Sequence, residues 1–144
     1  MLPMLEVSDL RIDFQSDAGR FNAVNGISFR LEPGEILGLV GESGCGKSVT
    51  SLSILRLLGK SSRISGTIRF EGKDLLRLSE KEIRSIRGNE IAMIFQEPMT
   101  ALNPLQTVAQ QVSEPLVRHK KMSKVEAKRE TIRLLRQVGI PRPD

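Results

Sequence analysis

The stretch Gly41-Glu42-Ser43-Gly44-Cys45-Gly46-Lys47-Ser48 decides how this chain is read. It matches the pattern G-x-x-x-x-G-K-[ST] in full, and its surroundings are those the pattern needs. Upstream, Glu32-Pro33-Gly34 is a turn signal, and Glu35 to Val40 is a short apolar run of the kind expected for a strand buried on both faces. Downstream, Val49, Leu52, Leu55 and Leu58 recur at helical spacing and Gly59 follows as a stop, which predicts a helix over 48–58.

Glycines in such a loop open backbone conformations closed to other residues, so successive N–H groups can turn inward around phosphate oxygens. The helix starting near Gly46 adds its positive N-terminal end. Lys47 would bring a mobile ammonium to the β- and γ-phosphates of a nucleotide, and the Ser48 hydroxyl is a candidate ligand for Mg²⁺. Cys45, the single cysteine of the chain, reads as a small residue in a tolerant position; it cannot form an internal disulfide and fits a reducing compartment.

Outward from the loop, the first third of the chain alternates like sheet. Leu5, Val7 and Leu10 with Ile12 and Phe14, then Phe21 to Leu31, predict a hairpin around the polar stretch Gln15 to Arg20. Ile64 to Phe70 reads as a strand and Glu71-Gly72-Lys73-Asp74 as a turn. Ser79-x-x-Glu82 is a capping box that opens a short helix through Arg87. Ile91 to Phe95 is continuously apolar, predicts a strand, and stops at Gln96-Glu97-Pro98. Two further capping boxes, Thr107-x-x-Gln110 and Ser123-x-x-Glu126, open two helices. The first is expected to be interrupted near Pro115, and the second closed by Gly139 and Pro141.

Composition narrows the function classes. With 39% apolar and 27% charged residues the 144-residue chain is ordinary globular protein. The excess of 22 Lys and Arg over 17 Asp and Glu is modest. Much of it lies between Arg118 and Arg136, where Glu126 and Glu130 interleave as on a solvated helix face. No apolar run approaches the ~18 residues that span a bilayer, and the N-terminus lacks the pattern of a secretory signal, so a cytoplasmic chain is expected. No Cys/His cluster suggests zinc. His119, the only histidine, sits in the basic stretch Arg118 to Lys121 and reads as an exposed helix-end residue. No apolar strand is followed by Asp or Glu, so a catalytic acid is missing. Gln96 stands where such an acid would be the usual Mg-holding companion of the loop; on its own it reads as a polar strand-end residue.

Taken together, three segments resemble the ATP-binding-cassette ATPases, and among them the subunits that drive dipeptide and oligopeptide importers. They are Gly38 to Val49, Ala92 to Pro104 (AMIFQEPMTALNP), and Val138-Gly139-Ile140-Pro141. The likeness runs the length of the chain. It implies an α/β fold of the P-loop NTPase type: an antiparallel β subdomain and P-loop core over 1–97, and the start of a helical subdomain over 98–144. It implies ATP and Mg²⁺ as ligands, with Gly41, Glu42, Ser43, Gly44, Cys45, Gly46, Lys47, Ser48 and Val49 around the phosphates. Gln96 falls on the family's Q-loop glutamine, which senses Mg²⁺ and the γ-phosphate, so Lys47 and Gln96 are the candidate catalytic residues and Ser48 and Gln96 the candidate metal ligands.

Phe14 matches the family's aromatic platform for adenine, with Phe21 as the alternative and a plain core role open for Phe14. The implied partners are membrane permease subunits near Pro98 to Pro104, a second cassette subunit and, indirectly, a solute-binding protein. The implied place is the inner face of the cell membrane. Members of the family continue into a Ser-Gly-Gly signature, an acidic Mg-holding strand with its catalytic Glu, and a switch histidine. None of these occurs in the 144 residues, which implies binding of Mg-ATP without hydrolysis. A cassette ATPase acting on nucleic acid or in translation, or an inactive remnant, is the competing reading; inserted zinc modules or a more basic surface would mark a nucleic-acid partner, and none is expected.

Overall fold

The computed structural model describes residues 2–17, 19–97 and 102–142. The chain forms two compact units, Met1–Arg84 and Ser85–Asp144.

In the first unit, strands β1 (Leu5–Ser16), β2 (Gly19–Leu31), β3 (Ser62–Phe70) and β4 (Lys73–Asp74) form one antiparallel sheet in the order β2-β1-β3-β4. The predicted hairpin is present, and its strands run further than expected, with pairing that reaches Ser16 and Gly19. The apolar positions of β1 change phase between Val7 and Leu10, which a regular strand would place on opposite faces. A bulge resolves this. The pairs Val7–Phe29 and Leu10–Ile27 enclose Ser8 and Asp9 against Ser28, and Asp9 takes a φ of 46° with its N–H donating to Ser28 Oγ at 2.8 Å. Val7, Leu10 and Ile12 are thereby all buried, together with Val24, Ile68, Phe70 and Leu75. Gly66 permits the bulge from the β3 side. Its φ is 94°, and a Cβ there would lie 2.4 Å from the Asp9 carbonyl oxygen.

Helix α1 (Lys47–Ile54) ends one turn earlier than the sequence predicts. Arg56 adopts a φ of 51°, its N–H bonds Ser53 O at 3.0 Å and the Leu57 N–H bonds Leu52 O at 2.9 Å, the two bonds of a Schellman stop. The Arg56 guanidinium donates to the carbonyls of Leu75 and Leu78, which holds a non-glycine residue in this left-handed conformation. Helix α2 (Glu80–Ile86) straddles the boundary of the two units and begins with the expected box: Ser79 N donates to Glu82 Oε2 at 2.8 Å, and Glu82 N to Ser79 Oγ at 3.3 Å.

The second unit holds α3 (Val108–Lys120) and α4 (Lys124–Gln137), which pack on each other and begin with complete capping boxes at Thr107/Gln110 and Ser123/Glu126. The expected interruption at Pro115 does not occur. Pro115 removes one backbone donor, but α3 is held at its start by the box and by Gln111, whose side chain bonds the Asn103 N–H and the Asn103 and Gln106 carbonyls. At its end, Lys121 takes a φ of 55° and its N–H closes on Leu116 O. Gly139, at φ 77°, ends α4 with bonds from Gly139 N to Arg136 O and from Ile140 N to Leu135 O, as its sequence position predicts.

Two predicted strands are not formed. Residues 36–40 carry no strand pairing, and Ile36 and Val40 are 96% and 90% exposed. Residues 91–95 make a single bridge, Ile91 with Arg87, and Ile94 is 98% exposed. A strand of this fully apolar type is stable only between neighbouring strands with both faces covered. The four-stranded sheet pairs with neither segment.

Candidate functional site

The Gly-rich loop leads directly into α1 and is seated on the hairpin. Gly46, the N-cap of α1, has a φ of 94° and is buried; a Cβ there would lie 2.5 Å from the Ala23 carbonyl oxygen and 3.0 Å from Val24 Cγ2. Only glycine fits that seat, both for its conformation and for its space. The carbonyl that it meets belongs to a second bulge. The pairs Ile12–Val24 and Asp13–Asn22 leave Ala23 as the extra residue of β2.

The Lys47 side chain folds back over the loop. Its Nζ donates to the carbonyl oxygens of Gly41 at 2.7 Å and Glu42 at 2.6 Å, and lies 3.5 Å from Cys45 Sγ. Cys45 N donates to Glu42 O at 3.4 Å, and Thr50 N to Gly46 O at 2.8 Å as the first closing bond of the helix. The N–H groups of Lys47, Ser48 and Val49 belong to the first turn, which has no carbonyl of its own to bond. Glu42, Ser43, Gly44 and Cys45 are exposed on the loop, as is Ser48 on the first turn, while Val49 is half-buried and Thr50 buried. An ammonium, unpaired N–H groups and a helix N-terminus thus converge on one exposed loop, the arrangement that holds an anion.

For Mg²⁺, the hydroxyl of Ser48 is a hard oxygen donor beside Lys47, and such an ion takes most of its remaining ligands from phosphate and water. Among the described residues no cluster of three or more His, Cys, Asp or Glu side chains supplies a metal cage. Gln96 lies in the second unit and is exposed. Of the segment Pro98 to Pro104, the residues 98–101 lie outside the described residues.

Phe14 and Phe21 are cross-strand partners near the turn end of the hairpin, two rungs from Ser16–Gly19. Phe14 is half-buried and Phe21 is 63% exposed. Beside them lies a group that the sequence reading missed. Asp13 is only 8% exposed; its Oδ2 accepts from Arg20 Nη2 at 2.6 Å and its Oδ1 from Asn22 Nδ2 at 3.0 Å. The bonds from Arg20 and Asn22 hold its carboxyl below the ordinary carboxylate range, against the opposing effect of burial. No sequence pattern marks Asp13, because its partners come from the other strand of the hairpin.

An open phosphate-type loop set on an antiparallel hairpin is the arrangement of a nucleotide-binding cassette. The ABC transporter family model matches residues 24–143, and the chain belongs to that family. It is 54% identical over 145 residues to the dipeptide transport ATP-binding protein DppD of Bacillus subtilis (strain 168), covering 99% of this chain and 43% of the relative. It is 51% identical to the oligopeptide transport ATP-binding protein OppD of the same organism, covering 98% of this chain and 40% of the relative. The chain therefore spans less than half the length of these curated relatives. Among solved structures, the bacterial ABC transporter cassette MJ0796, determined as a dimer, superposes with a TM-score of 0.80 at 22% identity, over 96% of this chain and 59% of that one. The likeness confirms the cassette fold expected from the sequence. Phe14 and Phe21 precede the family match. Among the described residues no helix is long and apolar enough to cross a membrane.

Proposed function

We propose that this chain is the nucleotide-binding part of the ATP-binding subunit of an importer for peptides or related small solutes. Mg-ATP lies along Gly41 to Val49, with Lys47 on the β- and γ-phosphates and Ser48 on the metal. Gln96 completes the metal and γ-phosphate contacts, and Phe14 carries the adenine. Residues 1–97 supply the β subdomain and nucleotide core, and 98–144 begin the helical subdomain. The partners are permease subunits and a second cassette subunit, at the inner face of the membrane. The names of the two Bacillus relatives support the peptide branch, and the dimeric cassette supports a paired ATPase.

The observation that carries the nucleotide reading is the Lys47 ammonium resting on the Gly41 and Glu42 carbonyls. It is held over the loop by two neutral acceptors, and phosphate oxygens offer a charged alternative within reach, a stronger class of hydrogen bond. Calorimetric titration with Mg-ATP tests this: Lys47→Ala should weaken binding by about 1.5–3 kcal/mol. Equal affinity of the two proteins would remove the reading.

A further inference from the structure

We propose that Asp13 is a positioning residue for the base-binding end of the nucleotide site, setting the register in which Phe14 meets Phe21; the proposal rests on the nucleotide reading above. Between the pairs Ile12–Val24 and Asp13–Asn22 the ladder is offset by the extra residue Ala23, and every rung beyond it, Phe14–Phe21 included, keeps that offset. A slip that removed the bulge would carry Phe14 away from Phe21 and send the side chains of one strand to the other face. The bonds of Asp13 oppose this slip. Its carboxylate grips Arg20 and Asn22, the residues on either side of Phe21, and Asn22 Nδ2 also reaches the Val24 carbonyl at 3.2 Å, spanning the bulge. On the other edge of β1, Arg63 of β3 pairs with Asp13 and adds positive charge beside it.

The same offset presents the Ala23 carbonyl to Gly46 at the start of α1. One buried carboxylate therefore fixes where the aromatic pair stands relative to the seat of the phosphate loop, within a single unit of the protein. Arg20 and Asn22, which it holds, lie beyond the bulge toward the turn. Its loss should therefore loosen the aromatic rung while Ala23 keeps its place against Gly46, with the effect on the base and not on the phosphates.

The test compares two probes, Mg-ATP and inorganic tripolyphosphate with Mg²⁺, by calorimetry on the wild-type chain, Asp13→Asn, Arg20→Gln, Phe14→Ala and the Asp13→Asn/Phe14→Ala double variant. Arg20→Gln removes the same ion pair from its exposed end, where folding is least at risk. Asp13→Asn and Arg20→Gln should each weaken Mg-ATP by about tenfold, within the range of base–aromatic stacking, and leave tripolyphosphate within about twofold. Asp13→Asn should add no further loss in the Phe14→Ala background, the signature of two residues acting through one contact. Equal losses for both probes, unchanged ATP affinity in both single variants, or additive losses in the double variant would overturn the proposal while leaving the nucleotide reading in place. A wild-type chain that binds neither probe would overturn both.

Discussion

Phe14 of β1 and Phe21 of β2 stand directly opposite each other across the hairpin ladder, so the two aromatic candidates for an adenine platform share one face and one rung. The sequence offers them as alternatives; the fold makes them neighbours. Phe14, continuing the face of Leu10 and Ile12, is half-buried, whereas Phe21 is mostly exposed. Phe14→Ala should reduce Mg-ATP affinity by about 1–3 kcal/mol and Phe21→Ala should leave it nearly unchanged. Calorimetric titrations showing the reverse order would transfer the platform to Phe21.

Gly46→Ala should disable the loop through the hairpin. The new Cβ would meet the Ala23 carbonyl at 2.5 Å, and the residue would be held at a φ of 94°. Strain of this kind costs about 1–3 kcal/mol, and the loop would shift away from β2 to relieve it. Urea unfolding should show that loss, and Mg-ATP titration a weaker complex. Wild-type values for both would mean that the loop does not need its seat on Ala23.

The three capping boxes differ in how they respond to acid. Glu82 and Glu126 each accept from the side chain or backbone of the N-cap serine, and those bonds hold both carboxyls below the ordinary value of 4.5. A carboxylate with a depressed folded value stabilises fully above its unfolded value and loses that stabilisation as pH falls through the folded one. The box of α3 uses the neutral Gln110 instead and has no such dependence. Helix content followed by circular dichroism should therefore fall below about pH 4.5 in the wild type. Glu82→Gln and Glu126→Gln together should flatten that fall, because the amide still accepts. An unchanged acid transition in the double variant would place its origin elsewhere.

Thr131 on α4 is 1% exposed, and its Oγ1 has no hydrogen-bond partner among the described residues. Burying an unbonded hydroxyl is unfavourable, and valine fills the same shape without it. Thr131→Val should raise stability by roughly 1 kcal/mol in urea unfolding. A clear destabilisation would show that the hydroxyl is bonded in solution.

The parts of the fold legible in the sequence are those with local causes. Each capping box carries its own partners within a turn, and Gly139 supplies at the end of α4 the left-handed residue that a helix stop requires. The stop of α1 was hidden because Arg56, not a glycine, takes that conformation, held by carbonyls some twenty positions downstream. The phase change between Val7 and Leu10 was visible, but its meaning, a bulge accommodated by Gly66, depends on a third strand. At the site, the loop Gly41 to Ser48 declares itself by pattern, whereas Asp13 becomes recognisable only when Arg20 and Asn22 are brought to it by the hairpin. The apolar runs at 35–40 and 91–95 read as strands from their unbroken apolar pattern and the turn and loop signals that bound them. That local pattern does not tell whether flanking strands are there to pair with them.

The final prediction is that these 144 residues grip Mg-ATP without turning it over, and that they associate as they do so. Phosphoryl transfer rests on positioning and on charge stabilisation, with the metal commonly shared between the loop hydroxyl and an acid at a strand end, and with a further residue orienting water. Lys47 and Ser48 lie together on the loop, yet among the described residues no cluster of carboxylates accompanies them. Gln96 offers an amide, which can orient a ligand but carries no negative charge. Meanwhile Ile36, Val40 and Ile94 are almost wholly exposed on segments with little or no strand pairing. Apolar backbone of this kind invites pairing with other chains. Phosphate release should therefore match that of a Lys47→Ala control, while light scattering shows assembly that grows with concentration. Replacing Ile36 and Val40 with Lys should reduce the scattering without weakening Mg-ATP binding. Turnover that depends on Lys47, from a sample that stays monomeric, would mean that a catalytic acid is present among the carboxylates of this chain and that the exposed runs find their partners within it.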